Sequence, residues 1–276
     1  RLPPLLARAE QLAGAVLLGD HGRRRAGSGD DFWEYRPAQI GDSRRMIDHR
    51  RSALGDQQFV REREWQIAQT VMLWCDQGAS MRFNSVDTLP TKMDRARLLT
   101  MSLAILLNRG GERVGMTGAR LPPRRGNAQI LRLAEMLSEE DSAEYAPPEH
   151  SAMIPNAVAM LASDFLGDIA PIELALTKAA DRGVRGVLLQ VLDPSEEEFA
   201  FYGRTIFESV GGSMRHETLK ANDLRNRYLS RLAQRKDELQ RLCTRTGWQY
   251  GLHNTEKSTQ SGVLWLYQAV SGGARL

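Results

Sequence analysis

The sequence predicts an α/β protein built on a mostly parallel sheet flanked by helices. Three short, nearly continuous apolar runs carry that prediction: Thr70-Val71-Met72-Leu73-Trp74-Cys75, Ala157-Val158-Ala159-Met160-Leu161-Ala162-Ser163, and Gly186-Val187-Leu188-Leu189-Gln190-Val191-Leu192. Strands buried on both faces read this way. Each run also ends in an aspartate: Asp76, Asp164 and Asp193. Between the runs lie helical patterns of about a dozen residues, and such alternation builds βαβ units. Right-handed crossovers would carry the three aspartates to one edge. In open α/β sheets that edge is where ligands bind.

The elements follow in order. Residues 4–18 fit a helix, with Pro3 and Pro4 suited to its first turn. Leu5, Ala9, Leu12 and Val16 form one apolar face, and Gly19 and Gly22 act as stop signals. Such a helix is expected to dock on the main body. Residues 22–64 read as a long irregular segment. Its ten arginines face nine acidic residues between Asp20 and Glu64, which points to Arg–carboxylate pairs. Within it, Arg23-Arg24-Arg25 with nearby aromatics offers a nucleic-acid reading. Gly27-Ser28-Gly29 lacks the flanking strand and helix of a phosphate loop. Phe59 to Trp65 alternates as a short strand leading towards the core.

After the central strand comes a helix over 93–108, its stripe made by Met93, Ala96, Leu99, Leu103, Leu106 and Leu107, ended by Gly110-Gly111. A short strand at 113–117, a helix over 127–139 and a polar loop at 141–151 precede the second aspartate-ended strand. A helix spans 171–182. Glu196-Glu197-Glu198 reads as a solvated helix start. Phe199-Ala200-Phe201 and Thr205-Ile206-Phe207, flanking Gly203, read as a hairpin, with Gly211-Gly212 starting another turn. A charged helix over 223–245, a last strand at 248–253 and a terminal helix over 261–270 complete the chain. Residues 1–66 are thus an N-terminal helix and arginine-rich segment packed on the body. Residues 67–276 are the main domain, with a small hairpin insertion near 196–218.

Composition limits the classes of function. Apolar residues are 42% and charged residues 26% of 276, a globular balance. Net charge is +3, and only five of the 37 basic residues are lysine. Two distant cysteines, Cys75 and Cys243, argue for a reducing, cytoplasmic compartment and against a disulfide scaffold. No apolar run reaches the roughly 18 residues of a membrane span. Leu5 to Leu18 carries Arg8, Glu10 and Gln11, which is wrong for a signal-peptide core. The chain opens on Arg1 rather than a methionine, so residues trimmed or omitted ahead of it are expected.

Enzyme motifs are sparse. The five histidines show no His-Glu-x-x-His spacing, and no Gly-x-Ser-x-Gly elbow or Walker-type loop occurs. A haloacid-dehalogenase-type phosphatase needs a second acid two residues after its strand-end aspartate, and Gly78 stands there. A lone histidine such as His253 reads as a packed or surface residue rather than a base.

Several motifs occur together and in order: Gly29-Asp30-Asp31-Phe32, Tyr35-Arg36-Pro37, Gly41-Asp42, Arg45-Met46-Ile47-Asp48, Val60-Arg61-Glu62 and Asp76-Gln77-Gly78-Ala79-Ser80-Met81. Gly111-Glu112-Arg113-Val114-Gly115, Ser163-Asp164-Phe165, Val191-Leu192-Asp193-Pro194 and His253-Asn254-Thr255-Glu256 follow. Over roughly residues 20–265 the chain resembles the domain of unknown function numbered fifty-eight, often encoded beside MoxR-type AAA+ ATPases. The resemblance implies a von Willebrand factor A-like fold with a metal-ion-dependent adhesion site. That site uses Asp-x-Ser-x-Ser, a threonine on a neighbouring loop and a later aspartate. Asp76 takes the first position, Ser80 the second serine and Asp164 the later aspartate. Gly78 stands where the first serine belongs, and no threonine matches, since Thr117 lies in or beside a strand. Mg²⁺ accepts a sparse protein shell, so a degenerate Mg²⁺ site at Asp76, Ser80 and Asp164 is one expectation. The other is that Asp76 and Ser80 cap the following turn.

The resemblance implies a non-catalytic interaction module, an adaptor for a MoxR-type AAA+ ATPase in protein assembly or maturation, binding around Asp76. Two rivals are a metal-dependent hydrolase using Asp76 and Asp164, and a nucleic-acid binder using Arg23–Arg25.

Overall fold

The computed structural model describes residues 4–21, 33–39, 42–43, 47–53, 55, 57–63, 68–119, 121–139, 143–150, 152–199, 205–208, 215–218 and 221–272. The chain divides into two units, residues 20–68 and residues 1–19 with 69–276. Helix α1 (Pro4–His21) opens the chain. Its Leu6, Ala9, Ala13 and Val16 are buried in the larger unit's core. The helix runs past Gly19, because one glycine weakens a helix by about 1 kcal/mol without ending it.

The smaller unit is more regular than its composition suggests. Strand β1 (Trp33–Pro37) pairs antiparallel with β2 (Phe59–Arg63), Trp33 opposite Arg63 and Pro37 opposite Phe59. Between them the short helix α2 (His49–Ser52) is capped by Asp48, whose carboxylate accepts the Arg50 and Arg51 N–H groups. The expectation of an irregular segment is corrected here. The β-favouring run Phe59 to Arg63 finds a partner in the aromatic run Trp33 to Pro37, and it joins that sheet rather than the central one. Arg23–Arg25 and Gly27–Gly29 lie outside the described residues.

In the larger unit, β3 (Thr70–Cys75) enters a 3₁₀ turn (Ala79–Arg82), then α3 (Lys92–Arg109) and β4 (Arg113–Met116). Helix α4 (Asn127–Met136), β5 (Val158–Ser163), α5 (Ile169–Asp181) and β6 (Arg185–Leu192) follow. Short α6 (Pro194–Glu198) leads to a hairpin of β7 (Thr205–Glu208) and β8 (Arg215–Thr218). Helix α7 (Ala221–Thr246), β9 (Gln249–Asn254) and α8 (Thr259–Gly272) end it. The hairpin expected from 199–201 and 205–207 is corrected. Thr205 pairs with Thr218 and Glu208 with Arg215, so Gly211-Gly212 falls between the paired strands. Phe199 instead ends α6 in the left-handed region at φ 48°.

The central sheet has the order β4-β3-β5-β6-β9, with every pair parallel. Beyond β4 an antiparallel bridge joins Val114 to Arg124. Successive strand side chains point to opposite faces. Val71, Leu73 and Cys75 therefore pack with residues of α1, α3, α4 and α8. Met72 and Trp74 pack with residues of α5 and α7. Both cysteines are free and buried. Among the described residues no helix is long and apolar enough to cross a membrane.

Candidate functional site

The strand order reverses between β3 and β5, and such a switch point opens a crevice at the carboxyl ends of the strands. Asp76 directly follows β3, Asp164 follows β5 and Asp193 follows β6. The parallel register thus brings the three aspartates to one edge, yet each has a different role there.

Asp76 is buried at 1% exposure. Its Oδ1 accepts the Gly78 N–H at 2.7 Å, and its Oδ2 accepts the Ser163 hydroxyl at 2.6 Å. Burial dominates these bonds and pushes the carboxyl up from 3.8 to about 6, with the Asp164 charge adding to the rise. Asp76 therefore caps its turn, one of the two roles expected of it. Ser80 does not share that role. Its Oγ is buried without a hydrogen-bond partner among the described residues, while its N–H donates to Glu144 O.

Asp164 is fully buried, and its Oδ1 accepts the Leu166 N–H at 3.1 Å. Its Oδ2 lies 2.8 Å from the Lys92 Nζ, which also reaches Glu196 Oε1 at 2.6 Å. Burial opposes the Lys92 charge, but Asp164 and Glu196 outweigh it and hold the ammonium pKa above its ordinary value. Lys92 is the site residue that the motifs miss. It is 1% exposed and stands at the first position of α3, behind the Thr91 N-cap. The positive end of the helix dipole disfavours a cation there, so the carboxylates must hold it in place.

Asp193 is structural. It caps α6 through a capping box with Glu196 and accepts the Ser85 N–H. These bonds outweigh its burial and lower its pKa. Glu196–Glu198 belong to a short helix as expected, and Glu198 is exposed, but the solvated reading is corrected for Glu196 and Glu197. Glu196 pairs with Lys92, and Glu197 with Lys236 at 2.7 Å and Asn254 at 2.6 Å, because α6 packs over this edge. His253 is buried, its Nε2 3.2 Å from the Arg95 guanidinium. Burial, then the Arg95 and Lys257 charges, lower its pKa from 6.5 to about 4, so it stays neutral and packed.

The expected Mg²⁺ shell does not fit these residues. A Cβ at Gly78 would lie 2.8 Å from Glu144 O and 2.9 Å from Asp76 Oδ1, so a serine there would force the backbone over it to shift. Asp164 Oδ2 already faces the Lys92 ammonium. Thr117 follows β4 with its Oγ1 buried and unpartnered among the described residues. The idle Ser80 hydroxyl is the feature that favours a metal. Among the described residues no group of three or more His, Cys, Asp or Glu is placed to hold an ion. Beside Asp76 and Asp164 opens a cleft of about 290 Å³, whose walls include Tyr145, Pro147, Pro148, Phe165, Asp168 and Ile172.

The profile of the family described as "Protein of unknown function DUF58" matches residues 34–238. No curated protein matches the chain. Among solved structures, an aerotolerance-related membrane protein from Bacteroides fragilis NCTC 9343 is 14% identical, with a TM-score of 0.40 over 74% of this chain and 100% of that one. The conserved hypothetical protein BatB from Bacteroides thetaiotaomicron is 15% identical, with a TM-score of 0.41 over 76% and 100%. An uncharacterized membrane spanning protein from Vibrio fischeri is 16% identical, with a TM-score of 0.23 over 74% and 98%.

Proposed function

The chain belongs to the DUF58 family of proteins of unknown function, and we propose that it is a non-catalytic interaction module that docks a partner protein at the carboxyl edge of its central sheet. One observation carries this reading. At the β3–β5 switch point the chain holds a carboxylate, Asp76, whose charge is opposed by its burial, beside an open cleft. A turn that needed only a cap would be served by a neutral side chain. Charge kept in a place that disfavours it is a mark of a functional site.

The finer assignment is a von Willebrand factor A-like domain. Its support is the parallel sheet with helices on both faces and the antiparallel bridge at the β4 edge. The partner that the resemblance implies is a MoxR-type AAA+ ATPase, with this chain as its adaptor in protein assembly or maturation. Co-purification of the tagged chain from its native cell tests this. An AAA+ ATPase should be recovered with the wild type and lost with Asp76→Ala. Recovery with both, or with neither, would sink the assignment.

The hydrolase reading draws on the Asp76 pKa of about 6, a value suited to a general acid. Against it, Asp164 is engaged by Lys92, and none of the described cleft residues is His, Lys, Arg or Cys. Turnover of ester or phosphate substrates with Mg²⁺ or Mn²⁺, lost in Asp76→Asn, would establish it. Nucleic-acid binding through Arg23–Arg25 predicts a steep fall in affinity with salt.

A further inference from the structure

The Lys92 ammonium occupies a prepared site. Both carboxylates facing it are fixed from behind by backbone donors: Leu166 N–H holds Asp164 Oδ1 and Asp193 N–H holds Glu196 Oε2 at 2.9 Å. The two remaining oxygens converge on one point, 2.8 and 2.6 Å away, where Nζ sits. The Phe83 ring lies 5.7 Å off on another side. Fixed outer partners that aim inner oxygens at one point are the architecture of a metal site, here filled by a side chain. Lysine suits this point because its ammonium is a compact charge, whereas arginine presents a wide planar fork. In a chain with five lysines among 37 basic residues, a lysine stands where only a small cation fits.

We infer that Lys92 is a tethered resident cation. Its ammonium takes the role of a divalent ion at the sheet edge, so the edge is assembled without metal. Removing the ammonium uncovers a latent divalent-cation site whose first ligands are Asp164 and Glu196. The inference holds whether or not a partner docks nearby.

Charge and donor type define what the latent site accepts. Without the ammonium, the two carboxylates leave two negative charges, which one divalent ion would cancel. Both first ligands are carboxylate oxygens, the donors that hard divalent cations such as Ca²⁺ and Mg²⁺ take.

The test is thermal unfolding and calorimetric titration of the full chain with Ca²⁺, Mn²⁺ or Mg²⁺ alone. The wild-type Tm should be unmoved by EDTA or by millimolar cation. Lys92→Ala, which empties the point where Nζ sits, should lose stability and regain it on adding a divalent cation. Asp164→Asn in the Lys92→Ala background should abolish that rescue. Should Lys92→Ala fail to fold alone, refolding it with millimolar Ca²⁺ or Mn²⁺ should recover the native state. Saturable Mg²⁺ binding by the wild type that Asp76→Ala removes would show a true metal turn and overturn the inference. A Lys92→Ala chain that gains neither stability, folding nor binding from Ca²⁺, Mn²⁺ or Mg²⁺ would overturn the latent site.

Discussion

Replacing Asp76 by asparagine should stabilise the fold at pH 8 and not at pH 4. Burial raises the Asp76 carboxyl from 3.8 to about 6, against the opposing bonds from Ser163, Gly78 and Ala146. A rise of that size corresponds to about 3 kcal/mol. Because the folded pKa lies above the unfolded one, this stability is present below pH 3.8 and is lost as pH rises through about 6. Asparagine removes the charge and keeps the shape. Its oxygen can still accept the Gly78 N–H, and its amide can donate to Ser163 once that hydroxyl turns round. The rearranged pair costs about 1 kcal/mol, which leaves a net gain of about 2 kcal/mol at pH 8. Urea denaturation at both pH values measures the difference. Equal destabilisation at pH 4 and pH 8 would refute the reasoning and reduce Asp76 to a structural cap.

His253 should act in the opposite sense over the same range. Its folded pKa of about 4 lies below 6.5, so its stability is present above pH 6.5 and is lost as pH falls through about 4, about 3 kcal/mol in all. The two groups should nearly cancel in the wild type between pH 4 and 6. In denaturation series across that window, His253→Gln should gain stability towards acid relative to wild type, and Asp76→Asn should lose it; parallel curves would contradict both shifts. Gly78→Ala should cost about 1–3 kcal/mol by overpacking, since its Cβ would press on the backbone oxygen of Glu144. Calorimetric unfolding of that variant within a degree of the wild type would show that residues 143–146 yield freely.

Much of the fold was legible because burial leaves a plain mark. The strands Thr70–Cys75, Val158–Ser163 and Arg185–Leu192 are apolar on both faces, and the aspartates that end them lie where a parallel sheet must put them. The pairing of β1 with β2 was not legible, because it joins residues from Trp33 to Arg63 across an arginine-rich stretch that looks like loop. The hairpin position is not legible because Phe199 has a strand-like side chain in a left-handed backbone conformation. Lys92 was the larger omission. Its partners lie 72 and 104 residues away, and a lysine at a helix start looks like surface. The available signal was physical: a cation at the positive end of a helix dipole. In the motif Gly78 stands as a missing ligand, yet its cause, the Glu144 and Ala146 backbone lying over it, comes from a loop with no mark in the motif.

The most direct test of the account is the affinity of the purified chain for a MoxR-type AAA+ ATPase from the same cell, measured by calorimetry for wild type and Asp76→Asn with EDTA present throughout. The account predicts saturable binding by the wild type without any divalent ion. It also predicts at least about tenfold weaker binding by the variant, a loss of about 1.4 kcal/mol, even though the variant is the more stable fold at pH 8. Equal affinities for the two chains, or wild-type binding that appears only when Mg²⁺ is restored, would contradict it.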